Sequence, residues 1–161
     1  MKTGRLIATP FLLLALSCSD VAQEDPANIV FVSAEDASMN AERSRARATF
    51  ATFTAELAAP HPDTHYSVKV MFQDGDAVEH LWVNRLAYQD GVLTGLIDSE
   101  PVHVANVRLG QRVQVLADNV SDWLILHDDR YRGGYTIRLF RDRMTPSERQ
   151  KFDSKMGATP E

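Results

Sequence analysis

Acidic, basic and aromatic side chains occur together in the middle and later parts of the chain. They are of types that could bind an anion or move a proton. Eight of them are candidate site residues: Glu79, His80, Trp82, Asp122, Trp123, Tyr135, Thr136 and Arg138. A carboxylate, an imidazole and a guanidinium that converge can transfer a proton or hold an anionic ligand. A purely structural explanation also exists, in which Arg138 pairs with Glu79 or Asp122 and the tryptophans fill the core.

Metal and nucleophile chemistry are less well supported by the sequence. Possible metal ligands are His80, His103, His127, Asp128 and Asp129, but their spacing matches no ligand signature. There is no Gly-x-Ser-x-Gly nucleophile elbow and no phosphate-binding glycine-rich loop. We therefore expect no metal and no cofactor, and we favour a binding role over an enzymatic one.

A hairpin over 79–95 is the element that must position Glu79, His80 and Trp82. Asp90-Gly91 separates two apolar runs, and such a pair predicts a tight turn with positive φ angles. In the first strand of this hairpin, Leu81 and Val83 are expected on one face. Trp82, Leu86 and Tyr88 are expected on the other, which is typical of a central strand with two partly apolar faces.

A helix precedes this hairpin. Ser33 followed by Asp36 resembles a capping box, and Pro60 and Pro62 end the helical pattern. One face is apolar at helical spacing, with Met39, Ala46, Phe50, Phe53 and Leu57. This face can pack on the core or form a groove for a partner, and a core role is the commoner use of such a stripe.

Strands and short helices make up the remainder. Alternation predicts strands over 66–72, 102–107, 112–116 and 122–127. Tyr135–Met144 fits either period, and we favour a helix. Thr145-Pro146-Ser147-Glu148 predicts a second capping box and a helix to about Lys155. The expected fold is α+β: one domain over 33–156, with a long N-terminal helix on a curved antiparallel sheet, short C-terminal helices, and a flexible tail over 157–161.

The first residues indicate export. Lys2 and Arg5 precede a short apolar run and a small-residue cleavage site, which predicts a signal peptide over 1–17. The single cysteine, Cys18, follows at once and is the predicted lipidation site of an anchor with a tether over 18–32. Ordinary cleavage after Ser17 is the alternative. Loss of the leader leaves 15 basic and 22 acidic residues, a net charge of −7, which argues against nucleic acid and anionic lipid as electrostatic partners.

Several short strings resemble the YegJ-like family of bacterial proteins, a domain of unknown function. They are Glu79-His80-Leu81-Trp82-Val83, Gly95 before Pro101, Gly110, Asp122-Trp123 and Gly134-Tyr135-Thr136-Ile137-Arg138. The likeness extends from about Tyr66 to Phe152. It implies a shared domain and the same unusual residues, and it implies no activity, substrate or cofactor.

Three functional hypotheses follow. The first is a protein of the periplasm or cell envelope, held to a membrane only by the lipid on Cys18. Its domain would bind an envelope protein, a peptide or a small anionic ligand. The second is an enzyme that uses Glu79 or His80 as acid–base and Arg138 as anion binder, which requires these side chains to converge in one pocket. The third is a structural lipoprotein without a ligand.

Overall fold

The computed structural model describes residues 36–161. They form an α+β fold with four α-helices and a seven-stranded, mostly antiparallel sheet. The predicted signal peptide over 1–17, the Cys18 anchor, the tether over 18–32 and the expected helix start at Ser33 lie outside the described residues. No helix within residues 36–161 combines the length and apolar character needed to cross a membrane.

The predicted N-terminal helix is two helices, α1 (Ala37–Ala48) and α2 (Phe50–Ala58), which are separated at Thr49. The α1 N-cap is Asp36, whose carboxylate accepts from the amides of Ser38 and Met39. The Thr49 hydroxyl bonds back to the carbonyls of the preceding turn. Such back-bonding bends helices, so a break here needs neither proline nor glycine.

The sheet has the strand order β4-β3-β2-β1-β5-β6-β7, with β1 at its centre. The strands are β1 (Thr64–Asp74), β2 (Ala77–Gln89), β3 (Val92–Ile97), β4 (Arg112–Leu116), β5 (Val120–His127), β6 (Arg130–Gly133) and β7 (Thr159–Pro160). All neighbouring pairs are antiparallel except β6 and β7. A short 3-10 helix, Ala117–Asn119, joins β4 to β5.

A two-residue turn at Gly75-Asp76 sets the register between β1 and β2. Asp74 pairs with Ala77, and the pairs continue through Met71 with His80 and Lys69 with Trp82. Paired residues share a face and successive residues alternate between faces. Glu79, which pairs with Phe72, and His80 therefore lie on opposite faces of the sheet.

The predicted turn at Asp90-Gly91 is confirmed, with φ angles of 51° and 80°. The expected facing of Leu86 and Tyr88 is wrong, because the β2–β3 register shifts between Asn84 and Ala87 and Arg85 has a φ of 49°. This bulge returns Leu86 to the face of Val83 and brings Tyr88 edge-on to Phe50 of α2. An extra residue in a strand reverses the alternation beyond it.

The segment between β3 and β4 is a loop, so the strand predicted over 102–107 is wrong. Amides of this loop bond to carboxylates instead of a neighbouring strand: Val102, His103 and Val104 donate to Glu79, and Ala105 donates to Asp74. These bonds hold the loop against the β1–β2 hairpin.

The C-terminal helices are α3 (Tyr135–Asp142) and α4 (Pro146–Met156). The helix favoured over Tyr135–Met144 and the capping box at Thr145 are confirmed. The flexible tail expected over 157–161 requires correction. Thr159–Pro160 forms β7 beside β6, Ala158 is buried, and the tertiary pairing that orders this segment has no local sequence signal.

The main core lies between α1–α2 and one face of the sheet. Ala46 and Phe53 pack there against valines of β1 and β2 and against Trp123 of β5. A smaller core of Leu81, Ile97 and Val104 lies under the β3–β4 loop. The predicted apolar helix stripe is therefore used for core packing.

Candidate functional site

Asp122 is fully buried at the start of α3, with an exposed fraction of 0%. Its carboxylate accepts from the amides of Trp123, Tyr135 and Thr136 and from the Thr136 hydroxyl, at 2.7–3.1 Å. Burial raises the pKa of Asp122, and the bonds from Thr136, Trp123 and Tyr135 lower it. A carboxylate that bonds to the first amides of a helix satisfies donors that have no intrahelical acceptor. Its role is architectural.

Trp123 and Tyr135 meet at the break between α1 and α2. The Trp123 indole donates from Nε1 to the Ala46 carbonyl and to the Thr49 hydroxyl, both at 3.1 Å. The Tyr135 hydroxyl lies 3.0 Å from the Thr49 hydroxyl. These two aromatic residues join the helices to β5, and Trp123, which is 4% exposed, presents little surface to a ligand, whereas Tyr135 is half-buried.

Arg138 holds the end of the chain in place. Its guanidinium donates to the carbonyls of Gly133 at 2.8 Å, Tyr131 at 3.1 Å and Glu161 at 3.3 Å, and it lies over the Tyr131 ring. It pairs with neither Glu79 nor Asp122. Three carbonyl acceptors use most of its donors, which makes it a poor anion binder in this position.

A different group of side chains lies on the face of the β1–β2 hairpin opposite Glu79, half-buried except for the exposed Met71. We call this surface, which carries Lys69, Met71, His80 and Trp82, the Lys69 face. The Lys69 amine lies 5.7 Å from the centre of the Trp82 ring, within the range of a cation–π contact. Within residues 36–161, no carboxylate or carbonyl oxygen pairs with this amine. The amine thus forms no ion pair, although Lys69 is the cross-strand partner of the buried Asp122.

Burial and charges of both signs act on the Lys69 amine. Burial lowers the pKa of Lys69; the Asp122 carboxylate raises it and the Arg43 guanidinium of α1 lowers it again. Burial also lowers the pKa of His80 to about 4, with Arg43 and Lys69 as further causes. Lys69 and Arg43 thus disfavour a positive charge on His80, and a bound anion would oppose that effect.

The hydrogen bonds of Ser121 assign the tautomer of His80. The Ser121 hydroxyl donates its one hydrogen to the Lys69 carbonyl at 3.0 Å, and its oxygen lies 2.8 Å from His80 Nδ1. His80 must therefore donate from Nδ1. The neutral ring keeps its lone pair on Nε2, which can take up a proton when an anion binds.

The structure does not bring the eight predicted residues into one site. Asp122, Trp123, Tyr135 and Thr136 cluster at the start of α3. His80 and Trp82 lie on the Lys69 face, and Glu79 faces the opposite side of the sheet. Arg138 lies beside β6. The enzyme hypothesis needs Glu79, His80 and Arg138 to converge, and the geometry does not support it.

A separate cavity of about 340 Å³ opens beside β1, β5 and β6. Its charged groups are largely paired with one another, since Arg132 forms a two-pronged ion pair with Glu56 and also lies near Glu161. His127 bonds to Thr64 at 2.9 Å. Among residues 36–161, no three histidine, cysteine, aspartate or glutamate side chains form a group that could hold a metal ion.

A family model described as an uncharacterized protein conserved in bacteria (DUF2314) matches residues 36–159. The chain belongs to the DUF2314 family. The match runs from the Asp36 cap of α1 to the first residue of β7, so it includes both the Asp122 cluster and the Lys69 face. The YegJ-like resemblance is thereby confirmed.

Two relatives of this DUF2314 chain carry curated names. It is 32% identical over 138 residues to a protein of Neisseria meningitidis serogroup B named as an ankyrin repeat protein, covering 80% of this chain and 54% of that protein. It is 35% identical over 72 residues to the uncharacterized protein YegJ of Escherichia coli K12, covering 45% of this chain and 47% of YegJ. The chain thus spans about half the length of these curated relatives. No solved structure matches it.

Sequence reasoning missed Lys69, Arg43 and Ser121. The signal for Lys69 was present, because a two-residue turn at Gly75-Asp76 implies that Lys69 pairs with Trp82 and Met71 with His80. No sequence signal places Arg43 of α1 or Ser121 of β5 beside this DUF2314 hairpin, because both contacts depend on tertiary packing.

Acid should destabilise the fold through His80. The pKa of this ring is about 4 in the fold and about 6.5 in an unfolded chain, so the unfolded state binds the proton more tightly. The contribution of the neutral His80 ring to the free energy of unfolding is complete above pH 6.5. It is lost as the pH falls towards 4, and the total loss is about 2–3 kcal/mol.

The matched variant is His80→Gln, which can still donate to Ser121. Urea unfolding at pH 7 and pH 4.5 should show a smaller acid loss in His80→Gln than in the wild type. His65→Gln, at an exposed histidine, should keep the wild-type loss. An equal acid loss in His80→Gln and the wild type would contradict the assignment.

Proposed function

We propose that this chain is an exported, lipid-anchored binding domain that holds an anionic ligand on the Lys69 face. The observation that carries the proposal is the Lys69 amine. It lies against the Trp82 ring and forms no ion pair among residues 36–161, while the Asp122 carboxylate and the Arg43 guanidinium act on its pKa in opposite directions. Placing a cation in such a position costs free energy, which a carboxylate or phosphate ligand would offset.

Trp82 and His80 suit the same ligand. The half-buried indole offers a flat apolar surface beside the amine, and His80 Nε2 can accept a proton carried by the ligand. Anion binding should raise the pKa of both Lys69 and His80. His80 should therefore take up a proton on binding at a pH not far above its pKa of about 4.

The leader supports the cellular part of the proposal, since a basic start, a short apolar run and Cys18 are typical of exported lipoproteins. Intact-mass analysis of native protein tests this part separately. A chain that begins at a lipid-modified Cys18 agrees with it, and a chain that retains Met1 and fractionates with cytosol contradicts it.

The ligand prediction is tested with Lys69→Met. Acetate and inorganic phosphate are titrated into the purified protein by calorimetry in two buffers of different ionisation enthalpy. We expect binding with proton uptake in the wild type and at least about a tenfold weaker affinity in Lys69→Met, since a hydrogen bond to a charged group is worth about 1.5–3 kcal/mol.

Lys151→Met is the matched control, because Lys151 is an exposed residue of α4. It should bind acetate and phosphate as the wild type does. If Lys151→Met and Lys69→Met lost affinity equally, the loss would come from the change in net charge and not from the site. An undiminished affinity in Lys69→Met would contradict the proposed site.

A further inference from the structure

The Lys69 face continues into an apolar stripe. Met71 is 42% exposed and Val78 is 47% exposed, although both residue types are commonly buried. Val78 and Trp82 point to the same side of β2, and Met71 lies opposite His80 between them. Diagonal cross-strand neighbours are close enough to touch. The three side chains therefore form one stripe that ends at the Lys69 amine.

The distribution of charge on this stripe is one-sided. Lys69 and His80 lie towards the Trp82 end, where the buried Asp122 carboxylate and the Arg43 guanidinium also act on Lys69, whereas Val78 pairs with uncharged Gln73 at the other end. The two ends are four residues apart along β1, about 13 Å at the usual rise of a strand. A ligand that matches both ends has a negative head and an apolar chain.

We infer that the ligand of the Lys69 face is an amphiphilic anion, with its head group at Lys69 and its acyl chain along Met71 and Val78. This inference rests on the proposed function and adds the chemical class of the ligand. Charge complementarity selects the head group, and the exposed apolar stripe selects the chain. Each methylene that leaves water should tighten binding about two- to fourfold, depending on how fully it is covered.

The test is a chain-length series of carboxylates, with acetate, butanoate, hexanoate and octanoate titrated into the full chain by calorimetry. Octanoate should bind at least about tenfold more tightly than butanoate. Val78→Thr should reduce the affinity for octanoate severalfold and leave that for acetate unchanged, and Met71→Gln should also reduce the affinity for octanoate severalfold. Leu116→Ser, at an apolar residue of β4 that is 57% exposed, should change neither.

The outcomes separate this inference from the proposed function. Equal affinities along the series would overturn the chain assignment and leave the anion site intact. Octylamine or octanol binding as tightly as octanoate would overturn the head-group assignment. If no carboxylate bound and Lys69→Met behaved as the wild type, the proposed function would fail together with the inference.

Discussion

Replacing Gly133 by alanine should cost about 4 kcal/mol of folding free energy or prevent folding altogether. Gly133 ends β6 with a φ of 71°. A Cβ at this position would overlap the Trp123 carbonyl oxygen and the Trp123 ring. Neither can retreat easily, because the carbonyl accepts from Gly134 at 2.7 Å and the indole is bonded to Ala46 and Thr49.

Gly110→Ala provides the matched control. Gly110 has a φ of 74°, with open space where a Cβ would stand, so alanine there should cost only about 1–2 kcal/mol from backbone strain. Urea unfolding of both variants separates strain from overlap. Similar losses would mean that β5 and β6 can move apart without cost, which would contradict the tight packing at Trp123.

Much of the fold follows from local patterns. Features that depend on a few adjacent residues can be predicted from the sequence. They include the turns at Gly75-Asp76 and Asp90-Gly91, the α3 helix and the Thr145 capping box. The features that the sequence did not predict depend on tertiary contacts. The α1–α2 break involves Thr49, which contacts Trp123 and Tyr135, and these residues are more than 70 positions away in the chain.

The candidate site was harder to predict than the fold. Several of the unusual residues chosen from the sequence form internal hydrogen bonds that stabilise the fold. Asp122 accepts from the start of α3, Glu79 accepts from the β3–β4 loop, and Arg138 donates to a β6 carbonyl. Strand alternation alone already separates Glu79 from His80. Lys69, a half-buried cation that forms no ion pair among residues 36–161, is an ordinary residue type in an ordinary strand.

These internal bonds also explain how the Lys69 face keeps its shape. Ser121 links the Lys69 backbone to His80, and the next residue, Asp122, holds the start of α3. The half-buried Lys69 is therefore held beside a buried polar cluster, since Lys69 and Asp122 are cross-strand partners. A binding site needs such support to keep its groups in place.

Asp122→Ala should lower the free energy of unfolding by about 4 kcal/mol. The substitution leaves three amides and the Thr136 hydroxyl without their acceptor in a fully buried position, and each buried donor without a partner costs about 1–3 kcal/mol. Partial entry of water should reduce the sum. Urea unfolding measures the loss, and Asp118→Ala on the exposed 3-10 helix should change stability by less than about 0.5 kcal/mol.

Asp122→Asn keeps the shape of the side chain and removes its charge, so it separates the effect of the ionised carboxylate from the effect of shape. One oxygen can still accept, but the amide group would direct hydrogens at donors, so we expect a loss of about 2–3 kcal/mol at pH 7. Because burial raises the pKa of Asp122, protonation of this carboxyl group in acid should make the wild type more stable relative to the asparagine variant. An asparagine variant as stable as the wild type at pH 7 would contradict a carboxylate that accepts all four bonds.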